Sequence, residues 1–138
     1  PWPVAAGNSL LNWPARPKPA YDAVRLACRP VLASALFAKF QWKAGETFSA
    51  EIWMLNDSLS ELLAGDVQVS LVAGGVSTNL LNWKFPGMAA GKNLVGPYVH
   101  AVLTSAASGE FELVLTVRGR EEWSSSYRLS LRGSEIRA

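Results

Sequence analysis

Acidic side chains are the first candidates for chemistry in this sequence, because two carboxylates that face the same bond can act as acid and base in hydrolysis. Glu121 and Glu122 are neighbours on a predicted strand, so their side chains point to opposite faces and cannot converge. Glu110 and Glu112 share one face, but alternation makes it the solvent face of a strand. The sequence therefore predicts no catalytic carboxylate pair.

The other reactive side chains are equally isolated. His100, the single histidine, lies on the outward face of a predicted strand, and no nucleophile or orienting carboxylate is marked for a triad. The serines at 124–126 lie within a predicted strand instead of a nucleophile elbow, and the glycine pair at 74–75 lacks the spacing of a phosphate-binding loop. Cys28 is the single cysteine, which excludes an internal disulfide and a cysteine zinc cluster. We predict no catalytic residue, no cofactor and no metal site.

Composition excludes several classes of protein. Hydrophobic residues make up 49% of the 138 residues and charged residues 17%, which is typical of one packed domain instead of a disordered chain. No apolar run reaches the roughly 18 to 20 residues that span a membrane. Residues 1–30 carry four basic side chains and one acidic one, and the remaining residues sum to −1, so the body lacks the basic stripe of nucleic-acid-binding proteins. We expect neither a membrane nor a nucleic-acid partner.

Alternating hydrophobic residues predict strands from Val31 onward. Residues 47–55, for example, place Phe48 and Ile52 on one face and Glu51 on the other. Seven strands are predicted, at 31–37, 47–55, 67–73, 76–85, 97–104, 109–117 and 121–131, with turns at 74–75 and 118–120 and a linker at 85–96 that crosses between sheets. This count favours an all-β fold, an antiparallel sandwich of the immunoglobulin or fibronectin III type. A small β-barrel is the alternative.

One short helix is predicted before the strands. Residues 1–19 are rich in Pro, Gly and Asn and have no periodicity, and Pro19 then favours a first helical turn. Tyr21, Val24 and Cys28 form one apolar stripe, and Pro30 ends the helix. A helix of about ten residues is marginal alone in water, so it needs a surface. That surface could be a missing neighbour, or the sandwich could carry the helix as a lid.

The first residues of the chain resemble a known segment. The run from Trp2 to Val31, WPVAAGNSLLNWPARPKPAYDAVRLACRPV, is similar to the end of the catalytic barrel in glycoside hydrolase family 2, in its β-mannosidase and β-galactosidase-like branches. WMLND at 53–57 resembles a strand and turn of the sandwich domain that follows that barrel. The resemblance implies that residues 1–30 are the remnant of the barrel, with its last helix, and that residues 31–138 are a C-terminal immunoglobulin-like domain. Because the chain starts with Pro1 instead of Met, we expect a piece of a longer protein.

The resemblance also implies a function. The family's catalytic glutamates precede this segment, so we expect a domain that is not an enzyme on its own and that packs on and stabilises the catalytic barrel of the same parent chain. A bacterial protein in a periplasmic or secreted location is expected. Two alternatives stay open, a carbohydrate-binding module that uses exposed tryptophans to hold an oligosaccharide, and a fibronectin III-like interaction module.

Five aromatic residues are the candidates for contact with the barrel or with a sugar. Alternation turns Trp53 outward, and two further tryptophans lie near predicted strand ends, where a binding strip could form. The candidates are Trp13, Tyr21, Trp42, Trp53 and Trp83. We also expect weak homodimers, because an apolar seam shaped for a missing neighbour would be exposed in this chain.

Overall fold

The computed structural model describes residues 10–12, 15–104 and 109–133. This part of the chain contains ten strands, one α-helix and one 3₁₀ turn. The strands are β1 (Leu11–Asn12), β2 (Arg16–Pro17), β3 (Val31–Leu36), β4 (Gln41–Lys43), β5 (Thr47–Asn56), β6 (Gly65–Ala73), β7 (Val76–Phe85), β8 (Lys92–Val102), β9 (Gly109–Val117) and β10 (Ser125–Arg132). Helix α1 spans Pro19–Ala27, and the 3₁₀ turn spans Glu121–Trp123. None of the described helices is long and apolar enough to cross a membrane.

Two sheets form a β-sandwich. One sheet has five strands in the order β4-β10-β9-β6-β7, and the other has three in the order β3-β5-β8. Neighbouring strands are antiparallel except for β4 and β10, which are parallel. The predicted all-β sandwich is confirmed. The leading segment, which we define as residues 10–12 and 15–30, adds the two-stranded sheet β1-β2 and helix α1.

The core lies between the two sheets, because alternate residues of each long strand point inward. In β5 the pattern gives Phe48, Ile52 and Met54 an exposed fraction of 0%. The ring of Phe48 contacts Trp42 and Phe111 edge-on, with centroids 5.1 and 5.8 Å apart. Each such side chain stabilises the fold by roughly 1.5–3 kcal/mol through burial. The inward faces of both sheets therefore supply one continuous core.

Strand β8 begins earlier than the sequence predicted, so the linker before it is shorter. It begins at Lys92, whereas the sequence predicted a linker over 85–96 and a strand from Pro97. Gly96 and Pro97 form a bulge opposite Ile52, where the pairing with β5 shifts register. Proline is tolerated there because β8 is the edge strand of its sheet. The connection that crosses between the sheets is confirmed, but it is shortened to residues 86–91.

Two further elements differ from the sequence prediction. The predicted strand 121–131 begins only at Ser125, and Glu121 and Glu122 lie in the 3₁₀ turn before it. The Ser124 hydroxyl accepts a hydrogen bond from the Val117 amide at 2.9 Å, which closes this turn against the end of β9. Strand β4 was not predicted, because it is short and buries only Trp42. The hairpin between β9 and β10 is confirmed, but its connection spans residues 118–124 because β10 begins at Ser125.

Candidate binding surfaces

Helix α1 presents an apolar surface that the sandwich does not cover. The helix is confirmed, but none of its nine residues is buried. Val24 is 40% exposed and Leu26 is 53% exposed, while Tyr21 is half-buried. The thiol of Cys28, at the end of the helix, is exposed and free. Val24 and Leu26 are two residues apart and do not share one face, so apolar side chains are exposed on more than one side of the helix in this chain.

Arg29 fixes the end of this helix to the sandwich. Its Nε donates to the Leu26 carbonyl at 2.7 Å, and its Nη1 donates to the carbonyls of Glu122 and Ser124 at 2.7 and 2.8 Å. Its Nη2 donates to the Ser125 hydroxyl at 2.9 Å. The planar guanidinium suits this role because it directs several donors in fixed directions. The helix thus has a defined position although its apolar side chains are exposed.

A groove separates the helix from the sandwich. It has a volume of about 740 Å³ and runs along the β3 edge, where both sheets are open. Leu26 and Ala27 line it from the helix, Leu32 and Leu55 from the three-stranded sheet, and Tyr127 from the five-stranded sheet. The Tyr127 hydroxyl lies 3.3 Å from the Ser34 hydroxyl and accepts from the Ala35 amide at 3.2 Å, so it joins the two sheets beside the groove.

A second surface lies on the outer face of the three-stranded sheet. We call it the aromatic strip and define it as Glu51, Trp53, Tyr98 and His100. Glu51 pairs directly with Tyr98 across β5 and β8. The rings of Tyr98 and His100 are stacked, with centroids 6.2 Å apart and planes 15° apart. Tyr98 is 61% exposed, His100 is exposed and Trp53 is half-buried. The predicted outward direction of Trp53 and His100 is confirmed.

Glu51 connects the rings of the strip. The Trp53 indole Nε1 donates a hydrogen bond to Glu51 Oε1 at 2.8 Å. Hydrogen bonding between Tyr98 and Glu51, followed by the negative charge of that carboxylate, raises the pKa of Tyr98 above its ordinary value of 10.0. The phenol therefore stays protonated beside the Glu51 carboxylate. Glu51 bonds the ring of Trp53 on its own strand and lies across from Tyr98 on the next strand.

The other candidate residues from the sequence lie elsewhere. Trp42 is buried at 6% exposure and donates from Nε1 to the Lys39 carbonyl at 2.9 Å, so its ring contacts the core. Trp83 is half-buried and lies over the bulge of β8, where its ring leaves no room for a side chain at Gly96. Trp13 lies outside the described residues. Of the three described tryptophan candidates, the structure brings Trp53 alone into the strip.

The sequence did not reveal that four side chains come together. Spacing by two places Glu51 with Trp53, and Tyr98 with His100, on one face of each strand. The register between β5 and β8 then brings the two pairs together, and that register contains a bulge. The signal available in the sequence was the alternation of Tyr98 and His100 on the outward face of the strand that became β8. The predicted start of that strand, at Pro97, was too late.

The outer face of the five-stranded sheet is chemically different. A shallow pocket of about 320 Å³ on that face is lined by polar and charged side chains. They are Asp66, Gln68, Asn82, Lys84, Thr116, Arg118 and Glu121. Among the described residues, no group of three or more His, Cys, Asp and Glu side chains could hold a metal ion. The exposed apolar and aromatic surface described above lies around helix α1 and on the three-stranded sheet.

Comparison with known proteins places the fold. No protein-family model matches the sequence, and no curated protein matches it significantly. The CARDB domain of a Pyrococcus furiosus protein, solved with di-metal ions, aligns with a TM-score of 0.54 and 14% identity over 74% of this chain and 90% of that domain. A superoxide reductase (neelaredoxin) from Ignicoccus hospitalis aligns with a TM-score of 0.50 and 10% identity over 83% of this chain and 88% of that chain. At such low identity the likeness establishes the immunoglobulin-like β-sandwich fold alone.

A sugar-cleaving enzyme is also among the similar structures. A β-glucosidase from Listeria innocua aligns with a TM-score of 0.46 and 10% identity over 75% of this chain and 16% of that chain. This likeness is too weak to indicate a function.

Proposed function

We propose that this chain is a noncatalytic accessory domain of a glycoside hydrolase of family 2 type, and that it packs on the catalytic barrel of the same parent chain. The docking surface consists of helix α1 and the groove beside it. The observation that carries this proposal is a nine-residue helix with no buried residue, held in a fixed position by the four hydrogen bonds of Arg29. The resemblance of residues 2–31 to the end of a family 2 barrel supports the choice of partner.

The energetics of the helix support a missing neighbour. A nine-residue helix is marginal in water, and helices in proteins gain most of their stability by packing an apolar face. Val24 and Leu26 have exposed fractions of 40% and 53%, so much of that stabilisation is absent in this chain. A barrel that covered the exposed part of both side chains would supply roughly 1 kcal/mol for each of them. The Arg29 hydrogen bonds would then fix the angle between barrel and sandwich.

Catalysis belongs to the parent barrel in this proposal. The family resemblance places both catalytic glutamates before Trp2. In the sandwich, hydrogen bonding with Lys39 lowers the pKa of Glu46, followed in strength by the Lys43 amide. A general acid in glycoside hydrolysis needs the opposite, a raised pKa. Glu46 is therefore suited to structural pairing.

The residues encoded immediately before Pro1 provide the first test. We expect a (β/α)₈ barrel with a glutamate at the end of each of two strands. A further sandwich repeat at that place would overturn the proposal and favour a fibronectin III-like interaction module.

A variant of the parent chain provides the second test. Leu26→Asp places a charge in the proposed interface, and we expect it to lower the thermal midpoint of the barrel and to increase cleavage between barrel and sandwich in limited proteolysis. Leu59→Asp is the matched control, because Leu59 is 100% exposed and lies on a loop of the sandwich. Equal effects of the two variants would contradict docking through α1.

A further inference from the structure

We infer that the aromatic strip of Glu51, Trp53, Tyr98 and His100 is a binding site for a neutral oligosaccharide. This function goes beyond docking to a barrel and uses a different surface. Tyr98 and His100 lie on the edge strand β8, and the groove follows the opposite edge strand, β3, of the same sheet, where it reaches Ser34, the cross-strand partner of Trp53. The two surfaces can therefore be tested separately.

The strip combines the two kinds of group that a sugar requires. A pyranose ring has apolar C–H faces, which stack on aromatic rings, and hydroxyls at its edge, which hydrogen-bond to polar groups. Tyr98 offers an aromatic ring that is 61% exposed, and His100 is stacked next to it with its plane only 15° away. The half-buried ring of Trp53 extends this surface onto β5. Neighbouring sugar units of one oligosaccharide could contact different rings.

Glu51 provides the polar part of the site. A carboxylate can accept about four hydrogen bonds. Trp53 Nε1 occupies one acceptor position at 2.8 Å. The remaining capacity suits sugar hydroxyls. Because Glu51 already orients the Trp53 ring and the Tyr98 ring is stacked with His100, binding would order few side chains, which lowers the entropic cost of association.

Charge argues against the other occupants of such a surface. The strip carries a carboxylate and contains no lysine or arginine, so a phosphate-bearing ligand such as nucleic acid would be repelled. A second copy of the chain is disfavoured for a related reason. Glu51 lies on β5, the central strand of the sheet, so an interface whose two-fold axis passed near the middle of this face would bring the two Glu51 carboxylates towards each other. A neutral ligand rich in hydroxyl groups meets neither penalty.

Calorimetric titration of this chain tests the inference. The probes are the β-1,4-linked hexaoses of glucose, mannose, xylose and galactose, each added up to about 10 mM because single aromatic strips bind sugars weakly. We expect saturable binding of at least one hexaose. Tyr98→Ala should weaken that binding at least about tenfold, because it removes the most exposed ring of the strip.

Phe40→Ala is the matched control. Phe40 is 63% exposed, close to the 61% of Tyr98, but lies in the connection between β3 and β4. Circular dichroism of both variants establishes that they are folded. We expect Phe40→Ala and the docking variant Leu26→Asp to bind the hexaose like the wild type, so a failure of barrel docking would leave this result unchanged.

Three results would overturn the inference. The first is an absence of heat and of NMR chemical-shift changes with all four hexaoses. The second is binding that Tyr98→Ala does not weaken, or that Phe40→Ala weakens equally. The third is a dimer in light scattering that Tyr98→Ala abolishes, which would assign the strip to a second copy of the chain.

Discussion

The sandwich and the leading segment differ in how far their apolar side chains are buried. In the sandwich, alternate residues of the long strands are removed from water, and Phe48 and Ile52 are 0% exposed. In helix α1 no residue is buried, and Leu26 is 53% exposed. Burial within the chain therefore stabilises the sandwich. Helix α1 has a definite position, but it lacks the burial that normally stabilises a helix. This difference is the one that the proposed docking of the leading segment would account for.

The polar anchors of the two regions repeat the contrast. Asn56 is 0% exposed, and its side chain holds the connection after β5 through the Ser60 and Ala89 carbonyls. Arg29 is only half-buried and holds the helix through three carbonyls and a hydroxyl. A buried anchor is difficult to replace, whereas a half-exposed one can exchange its partners for water. We expect the helix to open before the sandwich does.

The largest expected effect distinguishes burial in the two regions. Phe48→Ala should lower the free energy of unfolding by about 3–5 kcal/mol, because it leaves a cavity among the rings of Trp42 and Phe111. Leu26→Ala should lower it by less, about 1 kcal/mol, because Leu26 is 53% exposed. Urea unfolding followed by tryptophan fluorescence measures both values. Similar losses for the two variants would mean that the helix is part of the core.

The next effect concerns the buried anchor. Asn56→Ala should cost about 2–3 kcal/mol, because it removes the donors to Ser60 and Ala89 and the acceptor of the Ser58 hydroxyl bond at 2.6 Å. The exposed Asn82 provides the control, since its side chain accepts a long hydrogen bond from Asn79, at 3.3 Å. Asn82→Ala should change the urea midpoint only slightly. If Asn56→Ala left the free energy of unfolding unchanged, water would be replacing these hydrogen bonds readily.

Removing the helix anchor should have a smaller and local effect. Arg29→Ala is expected to reduce the protection of the α1 amides against hydrogen exchange by about 1–2 kcal/mol and to leave the strands of the sandwich protected as before. Arg29→Lys should restore only part of this protection, because an ammonium can donate to fewer of the four oxygens in the required directions. Unchanged exchange of α1 in both variants would mean that something other than Arg29 positions the helix.

The same contrast explains which features the sequence could predict. Alternation over 47–55 and 109–117 depends on burial within the chain, and both strands are confirmed. Pro97 in β8 was misleading, because its tolerance depends on the strand lying at a sheet edge. Strand β4 depends on parallel pairing with the distant β10. Of the strip, outward alternation predicted Trp53 and His100, but its assembly around Glu51 required the cross-strand register.

The smallest expected effect is a pH dependence of the stability that the Lys39–Glu46 pair gives to the sandwich. Lys39 Nζ lies 2.8 Å from Glu46 Oε2, and hydrogen bonding with Lys39 is the main cause of the lowered pKa of Glu46. A lowered pKa in the folded state means that the contribution to stability is complete above the unfolded value, near 4.5, and is lost as the pH falls through the folded pKa. We expect Glu46→Gln to lower the urea midpoint slightly at pH 7 and to differ less from the wild type at pH 3.

The helix provides the control for this measurement. Asp22 and Arg25 lie 3.4 Å apart, but their side chains are 69% and 66% exposed. Water and salt screen such a pair, so Asp22→Asn should leave the urea midpoint unchanged at either pH. A pH-dependent loss in Asp22→Asn equal to that in Glu46→Gln would mean that the helix unfolds together with the sandwich. The leading segment would then be part of one cooperative unit, and its exposed apolar face would no longer imply a separate neighbour.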